Sequence, residues 1–394
     1  MAEKPLPRVA GDAGTFSTHG SVVVILWSSG RATGPTHNHS FKDPHAVTRA
    51  SRHRIAVIGL GMAVAPHARS LRDLAGRVDV VAAFSPTKAR RDAFAAQFDF
   101  PVTSDMDAIV DDASIDCVLI LTPPSTHLPL VSRFAAAGKN ILLEKPLEAD
   151  TRRAEALVDV CARHGVTLGV VLQHRFRPGA RALAACIAGE GLGQIAAASV
   201  AVPWWRPQSY YDEPGRGTVE RDGGGVLLTQ AIHTLDLFLS LVPPLAEVAA
   251  YARTTPLHRM ETEDLACAAL RFANGALGTL NATTASHPGF AERIDIVGTL
   301  GTATLVAGSL EVHFHDGRVD TAGERAAFGG GADPMAFTHD AHRALIAEFL
   351  DAVDAGRAPV NDGHAALAVH DLIDAVLASA RTHTFVPILP RPRS

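Results

Sequence analysis

The strongest constraint on this chain is an alternation that starts abruptly at Arg54. Ile55–Ile58 is a continuous apolar run ending in glycine. Ala63–Leu74 has a helical pattern, with Pro66 in the first turn, where proline is tolerated. Further strand-like runs lie at Asp79–Phe84, Ile115–Leu121, Asn140–Leu143 and Val166–Leu172. Helical stretches separate them: Lys88–Phe98, Asp105 through Val110, Thr126–Ala137 closed by Gly138, and a long one capped by Asp150 that ends at Gly165. Strands alternating with helices predict an α/β fold with a doubly wound parallel sheet.

Beyond about residue 180 the rhythm changes. Gln194–Val202, Ala246–Tyr251, Leu265–Phe272, Ala276–Ala282, Ile294–Val297 and Ala303–Val306 read as strands joined largely without helices, some through short turns such as Ala273-Asn274-Gly275. That predicts a second, α+β domain with a mostly antiparallel sheet. Two helices, about His339–Ala355 and His364–Ala380, close the chain. The expected division is 51–173 for the parallel domain and 174–394 for the second. Residues 1–50 are rich in Gly, Ser, Thr, Pro and His, lack periodicity, and read as a disordered extension or the product of a misplaced start.

Charge and cysteine usage narrow the function classes. With 36 Lys plus Arg against 41 Asp plus Glu, the net charge of −5 supplies no basic footprint for nucleic acid or an acidic membrane surface. The four cysteines (Cys117, Cys161, Cys186, Cys267) are scattered, which argues against a disulfide scaffold or a zinc ribbon, and no metal site is expected. No apolar run reaches the ~18 residues of a membrane span. Val22–Trp27 lacks the basic leader and cleavage site of a signal peptide, so a cytoplasmic location is expected by elimination.

The first chemical motif is Gly59-Leu60-Gly61-Met62-Ala63, placed between a strand and a helix, where a dinucleotide fingerprint belongs. Gly59 permits the tight turn. Gly61 lets a pyrophosphate approach the helix N-terminus, and Met62 and Ala63 complete the turn. The usual third glycine is missing. A ribose-binding acid is expected about 20 residues on. Instead Ser85, Pro86, Thr87, Lys88, Arg90 and Arg91 follow the second strand, a set suited to a 2′-phosphate. This favours NADP over NAD. The alternative is a solvated basic helix face.

Further segments then fall into order: Thr122-Pro123-Pro124 with His127, Glu144-Lys145-Pro146, and Gly223-Gly224-Gly225 leading to Thr229, His233 and Asp236. The set resembles the Gfo/Idh/MocA family, the group of glucose–fructose oxidoreductase and inositol dehydrogenase. The resemblance runs from about residue 53 to 389, including Phe349–Val353 and the Gly356-Arg357-Ala358-Pro359 turn. It implies a Rossmann domain, an open-sheet second domain and a nicotinamide cofactor. It implies that Lys145 reaches the substrate beside the nicotinamide and that His233 is the proton acceptor. The family often has Asp or Asn where this chain has Thr229, which puts a carboxylate-assisted relay in doubt. Thr122, Pro123, His127 and Glu144 are expected on the cofactor side, and assembly as a homodimer or homotetramer is implied.

The chemistry needs no metal. Oxidising a CH–OH group sends a hydride to the cofactor and a proton to a base. His233 suits the base, and Lys145 can stabilise the developing oxyanion. On the substrate side, Arg175 follows the sixth strand, and Trp205, Tyr210, Tyr211, Arg216, Thr229 and His233 follow later. Aromatic rings and arginines suit a sugar, cyclitol or nucleotide sugar. They equally suit a subunit interface. The triple glycine allows close approach of a ligand or of packed chain. Two other functions stay open: a non-catalytic dinucleotide-sensing regulator and an NAD-assisted glycosidase.

Overall fold

Six parallel strands build the first sheet: β1 (His53–Ile58), β2 (Val78–Phe84), β3 (Val102–Thr103), β4 (Cys117–Ile120), β5 (Asn140–Leu143) and β6 (Leu168–Val170). Their order is β3-β2-β1-β4-β5-β6, so the chain doubles back beside β1. The computed structural model describes residues 52–324, 338–389 and 391. The extension expected over residues 1–50 lies outside them.

The two-faced burial of this sheet follows from its sequence. Ile55 and Val57 of β1 face one apolar layer, with helices α1 (Val64–Asp73) and α2 (Lys88–Phe98). Ala56 and Ile58 face the other, with α3 (Met106–Asp111), α4 (His127–Ala136) and α5 (Thr151–His164). Successive strand side chains point to opposite faces, so a strand covered on both sides must be apolar throughout. Asp105 and Asp150 cap α3 and α5, accepting from Ala108 N and Arg153 N. Gly165 closes α5 at φ +65°.

The second sheet has nine strands: β7 (Ile195–Pro203), β8 (Leu245–Arg253), β9 (Leu265–Phe272), β10 (Leu277–Thr283), β11 (Arg293–Gly298), β12 (Gly301–Val306), β13 (Ser309–Phe314), β14 (Val319–Ala322) and β15 (Val386–Pro387). Their order is β14-β13-β12-β11-β7-β10-β9-β8-β15, antiparallel except for β7 against β10. The two central neighbours are therefore parallel. β13 and β14 were not foreseen, although Leu310, Val312 and Phe314 alternate inward.

Helix α6 (Pro178–Ala188), also unforeseen, covers β13 and β14. Short helices α7 (Gln208–Tyr211) and α8 (Val219–Asp222) precede α9 (Ile232–Leu241), which lies on β7. α11 (Gly363–Thr382) lies on β8. α10 (Asp340–Ala355) instead returns to the first sheet, where Leu345, Ile346, Phe349 and Leu350 join the layer of Ile55 and Val57.

The triple glycine serves packing. Gly223 has φ +76°, and a Cβ there would lie 2.8 Å from Ala149 Cα. A Cβ on Gly225 would lie 2.0 Å from the Glu263 carbonyl oxygen. The stretch Val219–Leu241 is long and apolar enough to cross a membrane, with mean hydropathy 1.3, but 78% of that window is buried inside the protein. It is a core segment.

Candidate active site

The turn after β1 is built by Gly59 at φ +103°, where a Cβ would meet the Leu121 carbonyl oxygen at 2.8 Å. Only glycine fits there. Around Gly61 the reverse holds, because a Cβ would meet nothing within 4 Å. Open space thus lies before the N-terminus of α1, whose first turn has no side-chain cap. An uncapped helix start suits the pyrophosphate of a dinucleotide, although here Val64 N already donates to Gly61 O at 3.3 Å and Pro66 has no N–H to offer. Met62 is 62% exposed at this turn, and Ala63 lines the cavity described below. Gly59, Gly61 and the start of α1 therefore fit the cofactor that the motif implies.

At the end of β2 the expected cluster divides. Ser85 is buried, its hydroxyl accepts from Thr87 N at 3.3 Å, and Arg91 Nη1 donates to its carbonyl. That hydroxyl holds the turn and is buried. Lys88 pairs with Asp92 at 2.7 Å, one helical turn on. Thr87 and Arg90 remain exposed. Thr122 Oγ1 accepts from Thr126 Oγ1 at 2.7 Å, and Pro123 is exposed beside it. His127 is fully buried against Thr122 O at 2.9 Å and the Pro146 and Leu147 carbonyls at 3.1 Å. It ties the loop after β4 to the loop after β5, so it supports the cofactor side without lining it.

The next strand end carries two more of the expected residues. Glu144 and Lys145 follow β5 and line a cavity of about 900 Å³ that also reaches Ala63 and Pro66. One Glu144 oxygen accepts from His67 Nε2 at 2.9 Å and the other from Lys145 N at 2.9 Å. Burial alone would raise the Glu144 pKa, but the His67 hydrogen bond and nearby cations outweigh it and hold the carboxyl below its ordinary range. Burial pushes the Lys145 ammonium below its ordinary pKa, opposed chiefly by the Glu144 charge. Lys145 Nζ donates to Thr229 O at 2.8 Å.

Thr229 lies in a π-helical turn, Leu227–Ala231, that runs directly into α9. Such widened turns recur at functional sites because they shift side chains and carbonyls off the regular helical positions. Here the turn brings a backbone oxygen to Lys145 and places His233 in the same cavity. The Thr229 hydroxyl has two acceptors, Gly225 O at 2.6 Å and Gln230 Oε1, both within its own helical segment.

His233 packs against His174 with ring centroids 5.2 Å apart. Arg177 Nη2 donates to His174 Nε2 at 2.7 Å. An arginine cannot accept, so His174 is neutral and carries its proton on Nδ1, facing Thr234 Oγ1 at 3.3 Å. Burial, then the charge of Lys145, hold the His233 pKa well below the ordinary histidine value. His233 is therefore a neutral imidazole at pH 7.

The remaining cavity wall is aromatic and cationic. Arg206 lies 5.5 Å over the Trp204 ring and 5.6 Å from Tyr210. Arg216 stacks on Tyr210 at 4.3 Å and donates to its hydroxyl at 2.8 Å. Tyr210 lines the cavity, with Arg216 holding it from behind.

Comparison with known proteins decides the family. Residues 53–172 match the family model described as oxidoreductase family, NAD-binding Rossmann fold, and residues 180–304 match the GFO/IDH/MocA C-terminal domain. The chain belongs to the Gfo/Idh/MocA oxidoreductase family. A relative from Bacillus subtilis named scyllo-inositol 2-dehydrogenase (NAD(+)) is 26% identical over 314 residues, covering 78% of this chain and 88% of the relative. Inositol 2-dehydrogenase of Rhizobium meliloti is 27% identical over 256 residues, covering 63% and 74%. Among solved structures, the WlbA dehydrogenase from Bordetella pertussis, in complex with NADH and UDP-GlcNAcA, superimposes with a TM-score of 0.73 at 27% identity, covering 87% of this chain and all of that one.

Within this oxidoreductase four expected substrate residues do not line the cavity: Arg216, behind Tyr210, and three that lie elsewhere. Arg175 turns away from the cavity into a two-point ion pair with buried Asp236, at 2.6 and 2.5 Å, and donates to Val360 O. Burial would otherwise make the Asp236 charge costly, so the pair serves the fold. Tyr211 is buried with its hydroxyl on Thr284 Oγ1 at 2.6 Å. Trp205 bridges to Ala285 and packs on His258 and His287. Their neighbours Trp204, Arg206 and Arg177 line the cavity instead. Sequence reasoning also missed His67, His174, Gln230 and His342. His67 carried a signal, being a polar residue on the inward face of α1. His342 carried none, because it arrives from α10, far along the chain.

Proposed function

We propose that this oxidoreductase interconverts a secondary alcohol and a ketone on a sugar, cyclitol or nucleotide sugar, with Lys145 and His233 as the acid–base pair. The carrying observation is that both residues line one cavity that opens onto the start of α1, where the cofactor turn lies. The relatives' names and the WlbA complex support the substrate class.

The nicotinamide, when bound, supplies the hydride acceptor or donor. The protein's own groups manage charge. Lys145 has three Nζ protons and spends one on Thr229 O, so two are left for a substrate oxygen. As hydride leaves the carbon, the ammonium stabilises the oxygen's growing negative charge. Neutral His233 takes the hydroxyl proton. In the reverse direction each group returns what it took. Thr229 contributes its carbonyl, not its side chain, so no carboxylate relay is needed.

The NAD-binding family model, the NAD(+)-dependent relative and the NADH complex support NAD(H), and they do not support the expected preference for NADP. Residues 85–91 include no carboxylate to repel a 2′-phosphate, which leaves NADP(H) as a second cofactor to test. The face of the second sheet away from the helices presents mostly small or uncharged side chains in register: Ala197 beside Leu277, Ser199 beside Thr279, Ala201 beside Asn281. Tyr251 is 72% and Leu277 63% exposed on it. A second copy of the chain covers this face in the proposed assembly.

The test is a substrate screen of polyols, inositols and sugar nucleotides, following nicotinamide absorbance with each cofactor. Turnover that vanishes in Lys145→Ala is expected. Cofactor binding without turnover on any member of the panel, or glycoside cleavage with no net absorbance change, overturns the assignment. Light scattering checks the assembly, with at least a dimer expected.

A further inference from the structure

We infer that His67 is a positioning residue for the reactive centre: from α1 it clamps the Glu144 carboxylate so that this anion stays beside Lys145. The inference rests on the proposed role of Lys145. His67 is 1% exposed, and among the described residues Nε2 is its one hydrogen-bonding nitrogen, given to Glu144 Oε1 at 2.9 Å. The other Glu144 oxygen takes Lys145 N, so the carboxylate is held at both ends. His342 packs edge-on against the His67 ring, centroids 5.0 Å apart, and closes this pocket from α10.

The charges around Lys145 show why the clamp matters. Burial disfavours its ammonium, and Arg206 and Arg216 add repulsion. Glu144 is the largest opposing charge, with Asp222 a smaller one. His174, His233 and His342 face the same space but are neutral, held so by burial. Glu144 itself faces His67, Lys145 and His342. Glu144 is therefore the main opposite charge beside Lys145, and its only side-chain hydrogen bond among the described residues is to His67. Since His67 stands on the helix after the glycine turn, the clamp also joins the cofactor-binding helix to the lysine.

The test titrates Lys145 directly. Full-length wild type, His67→Met and His67→Gln are labelled with acetic anhydride across pH, and the rate at Lys145 is read by peptide mass spectrometry. Methionine fills the space without the ring donor, whereas glutamine restores an N–H. In His67→Met the Lys145 midpoint is expected about one pH unit lower, the scale of losing a nearby opposite charge, and His67→Gln returns it towards wild type. A loss of packing alone changes stability and leaves that midpoint in place. An unmoved midpoint in folded His67→Met overturns the inference. If that variant does not fold by circular dichroism, Glu144→Gln is read instead, and an unmoved midpoint there overturns it equally. Labelling needs no turnover. A shifted midpoint in a protein that oxidises no alcohol defeats the proposed function and leaves the clamp standing.

Discussion

Replacing Lys145 by Met removes the charge while keeping most of the side chain's length. Among the described residues the ammonium has one protein acceptor, Thr229 O at 2.8 Å, and Lys145 lines the cavity. Removing one preorganised donor of this kind costs about 10²–10³ in kcat, or about 2.7–4 kcal/mol of transition-state stabilisation. A second effect follows from the neighbouring imidazole. After burial, the Lys145 charge is the largest influence lowering the His233 pKa. Without it His233 becomes easier to protonate, and a protonated His233 is no base. The acid limb of the kcat/KM profile should therefore move to higher pH in Lys145→Met. The assay is steady-state oxidation of the best alcohol from the screen, from pH 5 to 9, with NADH binding followed by fluorescence as a control. Near-normal cofactor binding, a kcat loss of about a hundredfold or more and a displaced acid limb are expected. A loss under tenfold, or an unmoved acid limb, would refute this assignment of charge.

Three further outcomes test the fold around the site. Gly225→Ala places a Cβ 2.0 Å from Glu263 O, a clash of backbone with backbone, and should yield insoluble or strongly destabilised protein; a melting temperature within a few degrees of wild type would contradict the packing reading. Arg175→Met leaves the Asp236 carboxylate buried without its partner, which costs about 3–5 kcal/mol in chemical denaturation; unchanged stability with raised KM would return Arg175 to the substrate side. Burial depresses the His342 pKa to about 3. The unfolded chain, at about 6.5, then takes up a proton that the folded one refuses, so stability is complete above pH 6.5 and falls as pH drops. The loss is about 2 kcal/mol by pH 5. His342→Gln should lose less stability than wild type between pH 7 and 5 in urea titrations, and equal losses would count against the burial argument.

Much of the site was legible because its elements are local. A strand, a glycine turn and a helix place Gly59 and Gly61 by short-range sterics, and the end of a parallel strand places Lys145 where such sheets bind ligands. The substrate wall was less legible. Arg175 and Arg177 lie two residues apart around a short helical turn, Gln173–Phe176, and its geometry sends one to Asp236 and the other to the cavity. Trp204 and Trp205 divide in the same way at the end of β7, where pairing with Thr283 and Ala285 decides which ring turns inward. Residue type and spacing do not contain that rotation.

By itself the sequence determined the alternating parallel domain, the mostly antiparallel second sheet and the glycine turn, each of which depends on propensity, periodicity or contacts within a few residues. Lys145 and His233 were singled out by motifs that resemble those of the family. Only the tertiary structure decided that Thr229 offers a carbonyl, because a π turn has to displace it. The same holds for the triple glycine, which packs on Ala149 and Glu263, and for His67 and His342, which meet at Glu144. These groups come from α1, β5 and α10, and side chains so far apart in sequence acquire shared burial and shared electrostatics only when the chain closes on itself.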